Sequence, residues 1–172
     1  MSMTATARKA NPDGLLREVH DYLDTFRASV DARSCTAYVR DPFWPDEYRL
    51  VAMPGVAHRE PMYGFMFPKE SSARLRGKED FQVVVTPEAE RIGPPGLKSE
   101  IRELFGGFAC REKVEQYVQL RHFDANGWPE VVLFINFETR RVFPPEEEAK
   151  MRNALRKGCR PSTRVRFGPA CP

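Results

Sequence analysis

Residues 108–151 read FACREKVEQYVQLRHFDANGWPEVVLFINFETRRVFPPEEEAKM, and this stretch decides the fold. Residues 117–123 and 130–137 predict two strands, and the Asn126-Gly127 pair between them predicts a hairpin turn. The second strand is apolar on both faces, so we expect other elements to cover the sheet on each side. After it, residues 144–158 predict a helix with acidic residues in its first turn and basic residues near its end.

The N-terminal half begins with an apolar stripe at helical spacing. Its members recur three and four residues apart, at Leu16, Val19, Leu23, Phe26 and Val30. The stripe predicts a helix of roughly five turns, and its narrow width also suits a helix–helix seam. Residues 35–40 and 48–53 then predict a hairpin, which Pro54-Gly55 closes.

The middle of the chain is less regular. Residues 56–68 are rich in aromatic side chains and predict either a short strand or a loop over a pocket. Residues 81–85 are β-branched and predict a strand. Residues 97–105 predict a short helix that ends at Gly106-Gly107.

The order of these elements predicts one α+β domain. Its sheet is expected to be mostly antiparallel, with both terminal helices packed on one face. We expect this domain to span residues 13–158, between a flexible leader at residues 1–12 and a flexible, basic and proline-containing tail at residues 159–172.

Composition excludes several classes of protein. The 172 residues include 27 basic and 24 acidic ones, a net charge of +3. The charges are interspersed, so we expect no nucleic-acid partner. The longest strongly apolar run, residues 131–137, is too short to cross a membrane. The opening residues lack an apolar signal segment, so we expect a cytoplasmic protein with reduced thiols.

Residues 108–151 also resemble the C-terminal half of bacterial GAF domains. The shared pattern is an Arg-Glu pair before a strand, a glycine turn, and an apolar strand shortly before an acidic helix start. The resemblance continues in register over about residues 14–157. It implies a GAF-like, PAS-related fold, with a central antiparallel sheet of about six strands, the terminal helices on one face and a pocket on the other.

The resemblance implies a function as well as a fold. It implies a non-catalytic sensory or regulatory domain that takes part in signal transduction. Such a domain binds a small ligand or a partner protein and relays its state through the terminal helices. The same resemblance implies a homodimer formed through those helices, with a separate effector protein as a further partner. A ligand-free dimerisation or scaffold domain stays open as an alternative.

The sequence lacks the residues that define the known ligand classes of GAF domains. It therefore identifies neither the ligand nor a cofactor. The cyclic-nucleotide signature is absent from the sequence. Cys110 could link a bilin, but no histidine lies beside it, and a buried structural thiol is the alternative. The histidines of the sequence that could ligate a haem iron are His20, His58 and His122.

An enzyme is the alternative from a different class. The GAF-like reductases of free methionine sulfoxide use a reactive thiol with a resolving partner. Cys110 and Cys35 are the only such pair inside the predicted domain. The sequence has no serine-hydrolase or P-loop motif and no cysteine–histidine group with zinc spacing. We therefore expect neither catalysis nor a metal site.

The layout that the resemblance implies gives a set of candidate ligand-binding residues: Tyr63, Phe65, Phe81, Cys110, Arg111, Tyr117, Gln119 and Arg121, with Val83 beside them. Tyr117, Gln119 and Arg121 share one face of their strand by the period of two. Arg121 would suit a carboxylate or phosphate, or else it faces solvent. Asn136 lies inside an apolar strand and must find hydrogen bonds.

Overall fold

The computed structural model describes residues 16–40, 47–59, 62, 66–68, 79–85 and 107–158. The predicted leader and tail lie outside these residues. The elements are named here in chain order: helix α1 (Arg17–Ser29), strands β1 (Ser34–Arg40), β2 (Glu47–Ala52), β3 (Met66–Pro68), β4 (Phe81–Val85), β5 (Gln116–Phe123) and β6 (Pro129–Phe137), and helix α2 (Pro145–Gly158).

The strands of the described residues form one sheet of six in the order β3-β2-β1-β6-β5-β4. Every neighbouring pair is antiparallel. The two hairpins that the sequence predicts, β1–β2 and β5–β6, lie side by side, because β1 and β6 pair at the centre of the sheet. The predicted α+β class and sheet of about six strands are therefore confirmed.

Two details of the middle segment were open or wrong in the sequence analysis. The aromatic segment at residues 56–68 contributes a short strand, β3. The predicted helix at residues 97–105 lies outside the described residues, but Gly107 does not end a helix as predicted, since residues 107–111 are helical. This helical segment ends before Lys113, whose φ of 54° is left-handed and whose N–H bonds to the carbonyl of Cys110. A left-handed residue ends a helix because it breaks the run of intrahelical hydrogen bonds.

Both terminal helices pack on the same face of the sheet, as predicted. Val19, Leu23 and Phe26 of α1 join one apolar core with residues of β1, β4, β5, β6 and α2. Across this core the Tyr22 hydroxyl donates to the carbonyl of Ala154 on α2, at 2.7 Å. The apolar stripe of α1 therefore faces the chain's own sheet, and the interpretation of that stripe as a seam for another helix is wrong.

The turn after β2 brings two backbone segments unusually close. Gly55 has a φ of 78°, and an added Cβ would lie 2.4 Å from the carbonyl oxygen of Arg33. The neighbouring Pro54 accepts a hydrogen bond from the Cys35 N–H at the start of β1. Glycine is needed here because only it combines this φ with no side chain.

The β5–β6 turn is organised by one carboxylate. Asp124 accepts hydrogen bonds from the N–H groups of Asn126 and Trp128, and Gly127 has a φ of 78°. The second carboxylate oxygen of Asp124 accepts a hydrogen bond from Arg40 at 2.7 Å. Partial burial opposes ionisation of Asp124, but the bonds from Arg40 and the backbone outweigh it and hold its pKa below the ordinary value.

No helix among the described residues has the length and apolar character needed to cross a membrane.

Candidate functional site

The face of the sheet opposite α1 and α2 carries a mixture of aromatic and polar side chains. We call this surface the distal face and define it by Tyr38 of β1, Phe134 of β6, and Tyr117, Gln119 and Arg121 of β5. The pairing register places Phe134 directly opposite Gln119. Alternation then places Tyr117 and Arg121 on either side of Gln119. The sequence prediction that these three β5 residues share one face is confirmed.

Three aromatic rings form a row across the distal face. Tyr38 and Phe134 meet edge to face with ring centroids 5.7 Å apart, and Tyr117 lies 5.6 Å from Phe134. These separations are in the favourable range for aromatic pairs. Tyr38 is buried, whereas Tyr117 and Phe134 are only partly buried. Of the three rings, therefore, only those of Tyr117 and Phe134 keep part of their surface exposed.

Arg121 lies on the same face of β5 as Tyr117, four residues further along the strand, and is only 3 % exposed. One terminal nitrogen donates to the carbonyl of Glu79 at 2.6 Å. The other donates to the side-chain oxygens of Gln82, at 2.8 Å, and of Gln119, at 2.7 Å. These bonds tie β5 to the beginning of β4. The alternative interpretation of Arg121 as a solvent-facing strand residue is therefore wrong.

The charge of Arg121 has no direct counter-ion in the part of the chain that the structure describes. Its three acceptors are one backbone carbonyl and two amides, and its buried Nε makes no hydrogen bond. Burial disfavours the charged form and lowers the pKa of Arg121, while Tyr117, Asp80 and Glu79 act in the opposite direction. A guanidinium stays protonated at neutral pH even so. Among the described residues, the hydrogen bonds of this buried positive charge all go to neutral acceptors.

Two further polar groups of this side are satisfied within the fold. Asn136 donates to the hydroxyl of Ser34 at 3.0 Å across the β1–β6 pair. Glu112, fully buried, accepts from the N–H groups of Ala57 and His58 at 2.9 and 2.8 Å. Glu112 was not singled out from the sequence, because its partners lie 54 and 55 residues away. Both groups hold strands and loops in place.

Two of the predicted site residues lie elsewhere than expected. Phe81 belongs to the core under the terminal helices, and the guanidinium of Arg152 on α2 lies 4.9 Å from its ring centre. Because Phe81 pairs with Leu120, a core residue, it and Val83 point away from the distal face. Gln82 and Val84 take the positions on that face instead. The sequence predicted the strand but assigned its two faces the wrong way round. Tyr63 and Phe65 lie outside the described residues.

Cys110 and Arg111 are both exposed on the helical segment 107–111. Their neighbours Phe108 and Ala109 pack into the apolar cluster of the distal face. Cys35, in contrast, is buried in the core on the helix side, where burial raises the pKa of its thiol. The sheet therefore separates Cys35 from Cys110, and the structure does not bring these two thiols together.

A cavity of about 240 Å³ opens where α2 meets the β4–β5 edge. Its charged and titratable lining residues are Asp80, Arg121, His122, Arg152 and Arg156. Arg152 and Arg156 already contact the carboxylate of Asp80, at 3.1 and 3.9 Å. The lining therefore carries three arginines against one carboxylate, and two of these arginines share that carboxylate.

The histidines considered for haem are placed apart. His58 contacts Glu112, His122 contacts Glu130, and His20 lies on α1 near Arg59. Within the described residues, no group of three or more histidine, cysteine, aspartate or glutamate side chains could hold a metal ion.

Comparison with solved structures identifies the fold. A GAF domain of a two-component sensor histidine kinase from Bacillus halodurans superposes with a TM-score of 0.57 at 9 % identity, covering 80 % of this chain and 86 % of that one. The NreA protein from Staphylococcus aureus, in a form mutated in its nitrate binding site, gives 0.52 at 12 %, covering 74 % and 88 %. The chromophore-binding domain of a bacteriophytochrome from R. palustris gives 0.54 at 11 %, covering 87 % and 56 %.

No protein-family model and no curated relative matches the sequence. The structural likeness therefore establishes a GAF-type fold, in agreement with the resemblance found in residues 108–151. At these identities the likeness extends to the fold alone.

Proposed function

We propose that this chain is a non-catalytic sensory or regulatory domain that binds a small ligand on the distal face. The observation that carries the proposal is a difference in polarity between the two faces of the sheet. The helix side is a continuous apolar core, whereas the distal face places the buried polar side chains of Gln119 and Arg121 beside an apolar cluster that Tyr117 and Phe134 border. Ligand sites are mostly apolar surfaces with a few polar groups that fix orientation.

Structures of the same fold support a ligand of modest size. One is described as a protein with a nitrate binding site and another as a chromophore-binding domain. The fold thus accommodates chemically different small ligands in those proteins. Fold alone does not identify a ligand, so the chemistry of the distal face has to do so.

The strands that carry the distal face also provide the path of the relay. Val118 and Leu120 alternate with the site residues of β5, and they pack in the core that includes Met151 and Leu155 of α2. A shift of β5 on ligand binding would change this packing, because close-packed cores transmit small displacements. The terminal helices then report occupancy to a separate effector protein.

A homodimer through the terminal helices belongs to the same proposal. Because the apolar stripe of α1 is buried in the chain's own core, the dimer would use the outward, polar faces of α1 and α2. Such a contact would depend on salt concentration, since it would rest on charged side chains. Sedimentation at low and high salt measures this, and a monomer at every concentration would overturn the dimer.

Native mass spectrometry of the freshly purified protein tests the ligand. We expect an added mass that disappears on denaturation. The variant Tyr117→Ala, on the distal face, should weaken binding about fivefold and so lower the bound fraction, because an aromatic contact contributes roughly 1 kcal/mol. Val83→Ala is the matched control, since Val83 is exposed on the opposite face of the adjacent strand.

Other outcomes would contradict the proposal. Loss of the bound mass in both variants would place the ligand elsewhere or reflect unfolding, which circular dichroism distinguishes. A protein without added mass, whose melting temperature no small-molecule panel changes, would overturn ligand binding altogether. An absorbance scan of the same sample checks for haem and bilin.

A further inference from the structure

We infer that the ligand of the distal face is an organic anion, whose charged group pairs with Arg121 while its apolar body lies on Phe134 and Tyr117 of the aromatic row. The inference rests on the proposed function and adds the chemical class of the ligand. Carboxylate and phosphate esters share the required chemistry, because both present oxygen acceptors to a guanidinium. The observation behind it is the buried guanidinium of Arg121, which has no carboxylate among its hydrogen-bond partners in the described part of the chain.

Burying a guanidinium among neutral groups is energetically unfavourable unless an anion completes the site. The other arginines that hold the fold together each have a carboxylate within 4.0 Å. These pairs are Arg27 with Asp24, Arg33 with Glu138, Arg40 with Asp124, Arg141 with Glu147, and Arg152 with Asp80. Arg121 is more deeply buried than these five and has no such partner among the described residues.

A purely structural role would not require a charge at this position. The acceptors of Arg121 are a carbonyl and two amide oxygens, and a neutral amide could donate to them without a buried ion. The Nε–H is left without an acceptor in a buried position. Gln82 lies on the exposed edge strand β4, so its side chain can turn away and release a second N–H to an incoming anion.

The spacing of the distal face sets the size of the ligand. Along β5, Tyr117, Gln119 and Arg121 follow one another at about 7 Å per pair of residues. Phe134 is adjacent to Gln119 across the strand pair, so the ring row begins one residue pair away from the cation. A ligand can contact both Arg121 and the ring row if its charged group lies about 5 to 8 Å from the centre of its aromatic or branched body.

The test measures thermal shifts of the full chain with four probes at about 20 mM and constant ionic strength. Benzoate and phenyl phosphate each combine an anion with a ring. Benzamide keeps the ring without the charge, and inorganic phosphate keeps the charge without the ring. For a probe that binds with a Kd of about 1 mM, the melting temperature should rise by about 4 °C. We expect this rise for at least one ring-bearing anion and a rise below about 1 °C for the two partial probes.

Substitutions test whether the thermal shift depends on Arg121. Arg121→Gln should abolish the shift, and Arg121→Lys should retain part of it, because lysine keeps the charge without the planar fork. Arg49→Gln is the matched control. Arg49 is a half-buried strand arginine that also has an unbonded Nε, but it lies on the helix side of β2. If Arg121→Gln does not fold, benzoate against benzamide on the unmodified protein still decides the question.

The possible failures are distinguishable from one another. Equal shifts with benzamide and benzoate, retained in Arg121→Gln, would overturn the anion and leave the proposed function standing. A shift with inorganic phosphate equal to that with phenyl phosphate would overturn the role of the aromatic row. If no probe binds, the mass of the co-purified molecule decides. An anion lost in Arg121→Gln supports the inference, a neutral molecule overturns it, and the absence of any molecule overturns the proposed function as well.

Discussion

The backbone at Gly55 has no room for a side chain. Gly55→Ala would introduce both a left-handed alanine and a contact with the Arg33 carbonyl at 2.4 Å. The φ alone costs roughly 1 to 2 kcal/mol, and displacing the backbone adds to it. We expect the free energy of unfolding to fall by about 3 kcal/mol or more, measured by urea denaturation.

Gly127→Ala separates the cost of the left-handed φ from the cost of the close backbone contact. Gly127 has the same φ of 78° but lies in the β5–β6 hairpin turn. Its replacement should cost only about 1 to 2 kcal/mol. Equal losses in the two variants would contradict the importance of the close approach at Gly55.

Glu112 holds a loop through its carboxylate. Glu112→Ala removes the acceptor of the Ala57 and His58 N–H groups and leaves a cavity in a fully buried position. Unsatisfied donors cost about 1 to 3 kcal/mol each, so we expect a loss of at least about 2 kcal/mol in urea denaturation. Glu138→Ala is the control, because its exposed pair with Arg33 should contribute less than about 1 kcal/mol. Similar losses of unfolding free energy in both variants would show that the hydrogen bonds to Glu112 do not hold the loop.

Asp124 makes the stability of the β5–β6 turn sensitive to acid. Its folded pKa lies below the ordinary value of 3.8. Its contribution to stability is therefore present above about pH 5 and is lost as the pH falls through the lowered pKa. Asp124→Asn keeps an oxygen for the backbone bonds but lacks the charge. This variant should be about 1 kcal/mol less stable at neutral pH and should lose less stability on acidification.

Thermal melts from neutral pH to about pH 2 measure this difference. Asp21→Asn is a control, since Asp21 forms only an exposed pair with Arg17 at 4.0 Å. Parallel acid profiles for the unmodified protein and Asp124→Asn would rule out the assigned role of the carboxylate.

At the level of elements, the stripe of α1 has one structural task. Leu23 is fully buried against the sheet, so Leu23→Ala should lower the free energy of unfolding by about 2 to 5 kcal/mol. Because the stripe does not face a second copy, the sedimentation coefficient of the folded variant should stay unchanged. A variant that keeps its stability but changes its oligomeric state would show that the stripe is an intermolecular seam.

The regular elements could be predicted from local pattern. The β-branched residues 81–85 predicted a strand with the observed bounds, Phe81–Val85, and Asn126-Gly127 predicted a turn that the structure contains. The pattern could not say which face of β4 meets the core, because Phe81 and Val84 are both apolar. That choice depends on the pairing of Phe81 with Leu120, a contact that is distant in sequence.

The site was predictable only in part for the same reason. Tyr117, Gln119 and Arg121 share a face by alternation along one strand, which the sequence contains. The burial of Arg121 depends on Glu79 and Gln82, which lie 42 and 39 residues away. Glu112 accepts a hydrogen bond from the N–H group of Ala57, which is even more distant in the sequence. No local pattern encodes such contacts.

Across the whole molecule, the sheet acts as a partition between the two described thiols. Cys110 is exposed near the distal face, and Cys35 is buried on the helix side. In the folded protein, iodoacetamide should modify Cys110 quickly and Cys35 only after unfolding, because burial raises the pKa of the Cys35 thiol and blocks access. Peptide mass spectrometry measures both rates.

The same experiment addresses the alternative of a thiol oxidoreductase. Treatment of the folded protein with a mild oxidant should yield no disulfide between Cys35 and Cys110, since bonded cysteines need Cα atoms within about 7 Å. Rapid formation of this disulfide, with sulfoxide reduction that Cys110→Ser abolishes, would make the chain an enzyme.

The pairing of β1 with β6 has a consequence for how the chain acquires its structure. The middle of the sheet joins residues 34–39 to residues 131–136, which are 92 to 102 positions apart in the sequence. During synthesis each hairpin can form as soon as it emerges, but the central ladder must wait until β6 has left the ribosome. Closing so long a loop is slow. Until then, β1 exposes an unpaired apolar edge, so the nascent chain passes through a stage that is prone to aggregation.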